Sequence, residues 1–181
     1  ATGLADGTYK VYAVDAAGNL SSASSNSVTV ATTVTDTTAP TVSFSPANGV
    51  TGMAISDNIT ITFSEAVRNI DNNVLTNSYS GDANGVGSLI TLRLNNTYGP
   101  NIAFYATIDT NKTVITIDPT NNLPQSQAVY VAIGSTVEDA ADNSITAANA
   151  TFTTTMDPSL EAFYPFNGNA NDLTSNGRNL A

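Results

Sequence analysis

The chain has 181 residues, 41% hydrophobic but only 11% charged, with a formal net charge of −10, so its solubility rests on the Thr, Ser and Asn between apolar residues. That is a β-rich, exported kind of composition, and five cations (Lys10, Arg68, Arg93, Lys112 and Arg178) are too few to build a patch for nucleic acid or an anionic membrane surface. The absence of cysteine and histidine excludes disulfides, thiolate nucleophiles, zinc sites and imidazole acid–base chemistry, leaving carboxylates and other oxygen ligands.

In chain order, the first segment reads as two strands about a Ser-rich turn. Gly7-Thr8-Tyr9 leads into Val14-Asp15-Ala16-Ala17-Gly18-Asn19, and Val28-Thr29-Val30 closes it. Residues 32–39 are Thr-rich, alternate nowhere and run into Pro40, which predicts a linker. Period-two sets then follow: Val42 and Phe44; Ile59, Ile61 and Phe63; Ile90, Leu92 and Leu94; Ile102, Phe104 and Ala106; Ile115 and Ile117. Each puts one apolar face inward and Thr or Ser outward. Turn formers punctuate them, among them Pro46-Ala47-Asn48-Gly49, Tyr98-Gly99-Pro100 and Asn121-Asn122-Leu123-Pro124. The strand predicted over Ala128 to Ile133 is apolar on both faces, which predicts cover on both. Asp139 to Ala150 is Ala-rich but too polar and broken for a helix, and a second joint falls at Met156-Asp157-Pro158. No run approaches the ~18 apolar residues of a membrane span, and the first residues lack signal-peptide character, so any export signal is expected upstream of Ala1.

An internal repeat organises these pieces. Val14-Asp15-Ala16-Ala17-Gly18-Asn19 aligns without a gap on Glu138-Asp139-Ala140-Ala141-Asp142-Asn143, each followed by a strand, Val28-Thr29-Val30 or Phe152-Thr153-Thr154. In the second copy the hairpin closes a unit that begins near Pro40, so the first is expected to close a preceding unit most of which is missing.

Residues 36–157 resemble the bacterial Ig-like domains of surface-layer proteins and adhesins. The resemblance is carried by Asp36-Thr37-Thr38-Ala39-Pro40, Ser45-Pro46-Ala47-Asn48-Gly49, Ile59 to Val67, Leu123-Pro124 before Tyr130, Val137 to Asn143, and Thr151-Phe152-Thr153-Thr154. The family's usual Gly is Asp142 here, a change that the left-handed tolerance of Asp accommodates. Residues 1–30 look like the last two strands of another such repeat, with Gly7-Thr8-Tyr9 resembling a tyrosine corner. Glu161 to Asp172 resembles the first strand and turn of laminin-G-like, concanavalin-like jelly rolls, a family that often binds glycans.

The expected fold class is therefore all-β, an immunoglobulin-like antiparallel β-sandwich with partial flanking β domains. Its expected parts are a C-terminal hairpin of a truncated Ig-like domain (1–31), a linker (32–39), a complete bacterial Ig-like domain (40–156) and the N-terminal fragment of a laminin-G-like domain (157–181). The resemblance implies a non-catalytic spacer or stalk of an extracellular or cell-surface bacterial protein, partnered by neighbouring domains of the same polypeptide. The alternative is a carbohydrate-binding accessory module of a secreted polysaccharide-degrading enzyme. Another copy of the chain or an extracellular glycan are the remaining candidate partners.

Candidate sites are few. Glu65, Glu138 and Glu161 are the only glutamates, each at a strand end with no paired acid or nucleophile motif, so they read as structural rather than as glycosidase acids. Calcium has the stronger argument, since hard cations take clustered carboxylates and Ig topology points Asp6, Asp36, Glu65 and Asp139 toward the first joint. Against it stands a plainer account, in which Asp15 and Asp139 cap their turns and Asp6 and Asp36 are solvated. Phe104, Tyr79, Tyr98 and Tyr105 are expected to serve core or edge packing rather than sugar stacking.

Overall fold

The computed structural model describes residues 3–32, 35–156 and 171. The jelly-roll resemblance at 161–172 falls almost wholly outside them. The chain divides into two units, Ala1–Asp36 and Thr37–Ala181.

The first unit is a hairpin of β1 (Gly7–Lys10) and β2 (Ser27–Val30), antiparallel, with Tyr9 opposite Val28 and Gly7 opposite Val30. The Tyr9 hydroxyl donates to the Ala5 carbonyl at 2.6 Å, the hydrogen bond that defines a tyrosine corner. Beyond the strands the Ser-rich turn is tied down by its own hydroxyls, with Val11 N donating to Ser24 Oγ at 3.1 Å and Ala13 N to Ser21 Oγ at 2.9 Å. Its valines find little cover: Val11 is 68% and Val28 61% exposed.

The second unit is a two-sheet sandwich. In order it contains β3 (Val42–Ser45), β4 (Thr51–Met53), β5 (Ile59–Phe63), β6 (Arg68–Asn69), β7 (Ser78–Tyr79), a short 3-10 turn at Val86–Leu89, β8 (Ile90–Leu94), β9 (Phe104–Ile108), β10 (Val114–Pro119), β11 (Ala128–Ile133), β12 (Val137–Glu138) and β13 (Ala148–Thr154). One sheet runs β3-β5-β10-β9-β7 and the other β4-β13-β11-β8, while β6 and β12 form a small ribbon. All pairs are antiparallel except β13 with β4. The expected all-β immunoglobulin-like class is what the chain adopts, and no helix among the described residues is long and apolar enough to cross a membrane.

Period-two alternation explains the core. Ile115 faces Ile61 and Ile117 faces Ile59 across β10 and β5, and all four are fully buried. Val129 and Val131 face Phe152 and Ala150 across β11 and β13, also buried. Burying each such aliphatic side chain stabilises by about 1.5–3 kcal/mol, so the two inner faces supply most of the driving force. On β11 the cover is unequal: Val129, Val131 and Ile133 are buried while Ala128, Tyr130 and Ala132 are half-buried.

One expected strand is divided. Ile102 does not continue into β9, because Ile102 N donates to Leu92 O at 3.0 Å and Asn101 bridges Arg93 beside β8. The chain then changes sheets and β9 begins at Phe104, a corner of the kind that joins the two layers of a sandwich.

Candidate metal centre

The Asp–Asn turn is the local device from which the centre is built. After β12, Asp139 N donates to Asn143 O at 3.1 Å and closes the turn. Asp139 Oδ1 accepts from Ala141 N at 2.7 Å and Asn143 N at 2.9 Å, and Oδ2 accepts from Asn143 Nδ2 at 2.8 Å. The turn needs a left-handed residue, and Asp142 supplies it at φ 68° where the first copy has Gly18 at φ 90°. The side-chain amide of Asn143 is the largest influence holding the Asp139 carboxyl below its ordinary value; the Asn143 and Ala141 N–H groups and the charge of Arg68 act the same way, against the opposing effect of burial. Asp139 is thus a buried carboxylate kept ionised by its own turn.

Glu65 follows β5, where Ser64 N donates to Thr41 O at 3.1 Å and Thr41 N to Ser64 Oγ at 2.9 Å, fixing that corner to the start of the domain. Asp36 is the residue by which the chain leads into the sandwich. Asp36, Glu65 and Asp139 each place a carboxylate oxygen within 4.8 Å of the others. Oxygens sharing one calcium at about 2.3–2.6 Å lie up to about 5 Å apart, so this spacing suits a hard divalent cation. Asp139 is buried, Glu65 half-buried and Asp36 exposed, which leaves one side of the group open to solvent.

Asp6, expected beside the other three as a calcium ligand, is not one of the three grouped acids and remains exposed. Its Oδ1 accepts from Thr32 N at 2.6 Å and from the Thr32 hydroxyl, tying the start of β1 to the residue after β2.

Sequence reasoning missed the cation beside this group. Arg68 on β6 pairs its Nε with Glu138 Oε1 at 3.2 Å and its Nη2 with Asp142 Oδ1. Glu138 is 3% exposed, so the strand-end glutamate set aside as structural is the buried half of an ion pair whose arginine is half-buried. A lone Arg on a two-residue strand gave no sign of a partner 70 positions away.

Of the aromatic residues, Phe104 is core, as expected. Tyr79 and Tyr105 pack on each other with ring centroids 4.7 Å apart, but Tyr98 is 90% exposed and packs in neither way. It sits on a tight loop, where Gly99 N donates to Asn96 O at 3.0 Å.

A family model described as the bacterial Ig-like domain matches residues 36–155. No curated protein matches the chain. Among solved structures, the N-terminal part of the bacterial S-layer protein SbsC is 13% identical, with 78% of this chain and 32% of that one covered and a TM-score of 0.43. The S-layer protein rSbsC(31-844) is likewise 13% identical, with 74% and 18% covered and a TM-score of 0.41. SbsC domains 1–6 give 13% identity, 77% and 19% coverage and a TM-score of 0.43. The chain spans about a third or less of each of these proteins.

Proposed function

The chain belongs to the bacterial Ig-like domain family through residues 36–155, and from that premise we propose that it is a structural spacer in a large secreted or cell-surface bacterial protein, holding other domains of the same polypeptide apart without chemistry of its own. The observation that carries this reading is the path of the chain through the sandwich. Pro40, Thr41 and Val42 lie beside Thr146 and Ala148 at the start of the last strand, while β4 runs parallel to β13 and Thr155 N donates to Met53 O at 2.7 Å at its end. The chain therefore enters at one end of the sandwich and leaves at the other, so the domain adds its length to whatever precedes and follows it.

Tension applied to residues 36 and 156 would load the β4–β13 hydrogen bonds in shear. In single-molecule pulling on the full chain, the sandwich should give one abrupt cooperative unfolding event. Gradual lengthening without such an event would end the spacer reading.

The first unit fits the same scheme as the closing hairpin of another Ig-like repeat. The repeated turn and the Tyr9 corner support that assignment. Asp36, Glu65 and Asp139 would take calcium, which would offset the mutual repulsion of three carboxylates. For a site of about 1 mM affinity, 10 mM calcium stabilises by about 1.4 kcal/mol, enough to raise the melting temperature by a few degrees. Asp36→Ala should abolish that rise. An unchanged melting temperature with calcium would overturn the assignment.

A further inference from the structure

The sandwich treats its two arginines differently. Arg68 is matched by two carboxylates, whereas Arg93 pairs with none among the described residues. Arg93 is half-buried on β8, its Nη1 donates to Thr97 O, and its Nε is shielded from solvent with no acceptor. A guanidinium cannot shed its proton to escape that situation, so the charge stays and one N–H stays unpaired.

Arg93 lines a cavity of about 510 Å³ at the corner where the chain changes sheets. The same wall carries Ser80, Ser88, Thr91, Asn101 and Asp82. Several of these are held in place by the backbone: Ser80 Oγ accepts from Phe104 N at 3.2 Å, Ser88 Oγ donates to Gly85 O at 2.8 Å, and Asp82 Oδ2 accepts from Tyr79 N at 2.9 Å. The volume lies in the range of small-ligand sites, on the order of 300–1,000 Å³, and the wall is rich in hydroxyl and amide groups. One cation faces it together with one anion, Asp82. That combination disfavours a dianion such as phosphate, whose second charge would meet Asp82, and favours a ligand with a single carboxylate and many hydroxyls.

We propose that this cavity binds an acidic sugar residue of the uronate class, with its carboxylate on the Arg93 guanidinium and its ring hydroxyls on Ser80, Ser88, Asn101 and Asp82. The site is separate from the acid group at Asp139 and does not depend on the spacer reading; a spacer carrying it would also hold on to an acidic polysaccharide.

The test is an amide chemical-shift titration of the full chain with D-glucuronate, D-glucose and acetate in parallel. Glucuronate should move the amides of Ser80, Asp82, Arg93 and Asn101 saturably at millimolar concentration, with glucose and acetate each about tenfold weaker or more, since each lacks half of the recognised groups. Arg93→Met should weaken glucuronate by about tenfold or more while the remaining spectrum stays folded. If that variant does not fold, Asn101→Ala, which changes a hydroxyl-binding group at the exposed corner, should weaken glucuronate and leave acetate unchanged. Absence of saturable shifts, acetate binding as well as glucuronate, or a folded Arg93→Met protein that binds glucuronate like the parent would each overturn the proposal.

Discussion

The molecule contains the same turn twice, in two surroundings. Asp15 N donates to Asn19 O at 3.1 Å and Asp139 N to Asn143 O at 3.1 Å; each Asp Oδ1 takes the N–H groups two and four residues on, and each Oδ2 takes the Asn side-chain amide. The bridges Val14 to Leu20 and Glu138 to Ser144 also correspond. Burial separates the two copies. The strands around the second turn bury Val137, Ile145 and Phe152, whereas Val14, Leu20 and Val28 around the first are exposed. Turn geometry is thus written locally, in an Asp, an Asn four residues later and a left-handed residue between them. Stability comes from the opposing sheet.

The largest break in that comparison should come from the core. Phe152→Ala is expected to cost the sandwich about 3–5 kcal/mol in urea denaturation, while Val28→Ala on the hairpin should leave the same transition within about 0.5 kcal/mol. Removing the cap should come next. Asp139→Ala strands the Ala141 and Asn143 N–H groups at a buried site and should lower the melting temperature of the sandwich by several degrees. Asp15→Ala should leave that transition in place, because water replaces the lost acceptor.

Acid sharpens the same contrast. The carboxyls of Asp139 and of Asp109 are both held below the ordinary value of 3.8, Asp109 chiefly by the backbone N–H of Val114. A carboxyl lowered on folding contributes its stability above the unfolded value and loses it as pH falls through the folded one. Urea stability of the sandwich should therefore hold steady above about pH 5 and decline below 3.8. Asp139→Asn should flatten that decline; an unchanged pH profile would show that the turn does not sense the charge.

The smallest effect is expected from exchanging the left-handed residue between the copies. Asp142→Gly relieves a positive φ but gives up an exposed ion pair with Arg68, so the two should offset to within about 1 kcal/mol by thermal melting. A larger loss would show that Arg68 depends on Asp142 as much as on Glu138.

Much of this was legible because it is local. The alternation of Ile59, Ile61 and Phe63 with Ile115 and Ile117 marks inner faces without knowledge of their partners, and the Asp–Asn turn is set within five residues. What escaped the sequence depends on distant pairings. The Arg68–Glu138 ion pair exists because β6 meets β12, and the attachment of Asn101 and Ile102 to β8 depends on where the chain changes sheets. Family topology put Asp6 with the calcium candidates, and its bond to Thr32 escaped because it depends on the pairing of β1 with β2. Asp36, Glu65 and Asp139 were linked only through family topology, since their spacing in the chain carries no ligand pattern.

The most direct test of the claim that the covering sheet, rather than the turn, sets stability is deuterium exchange of the full chain, comparing β1–β2 with β11–β13. The account predicts that β11 and β13 exchange only with global unfolding, while β1 and β2 exchange by local opening orders of magnitude faster. Equal protection of the two strand pairs, closed as they are by the same turn, would contradict it.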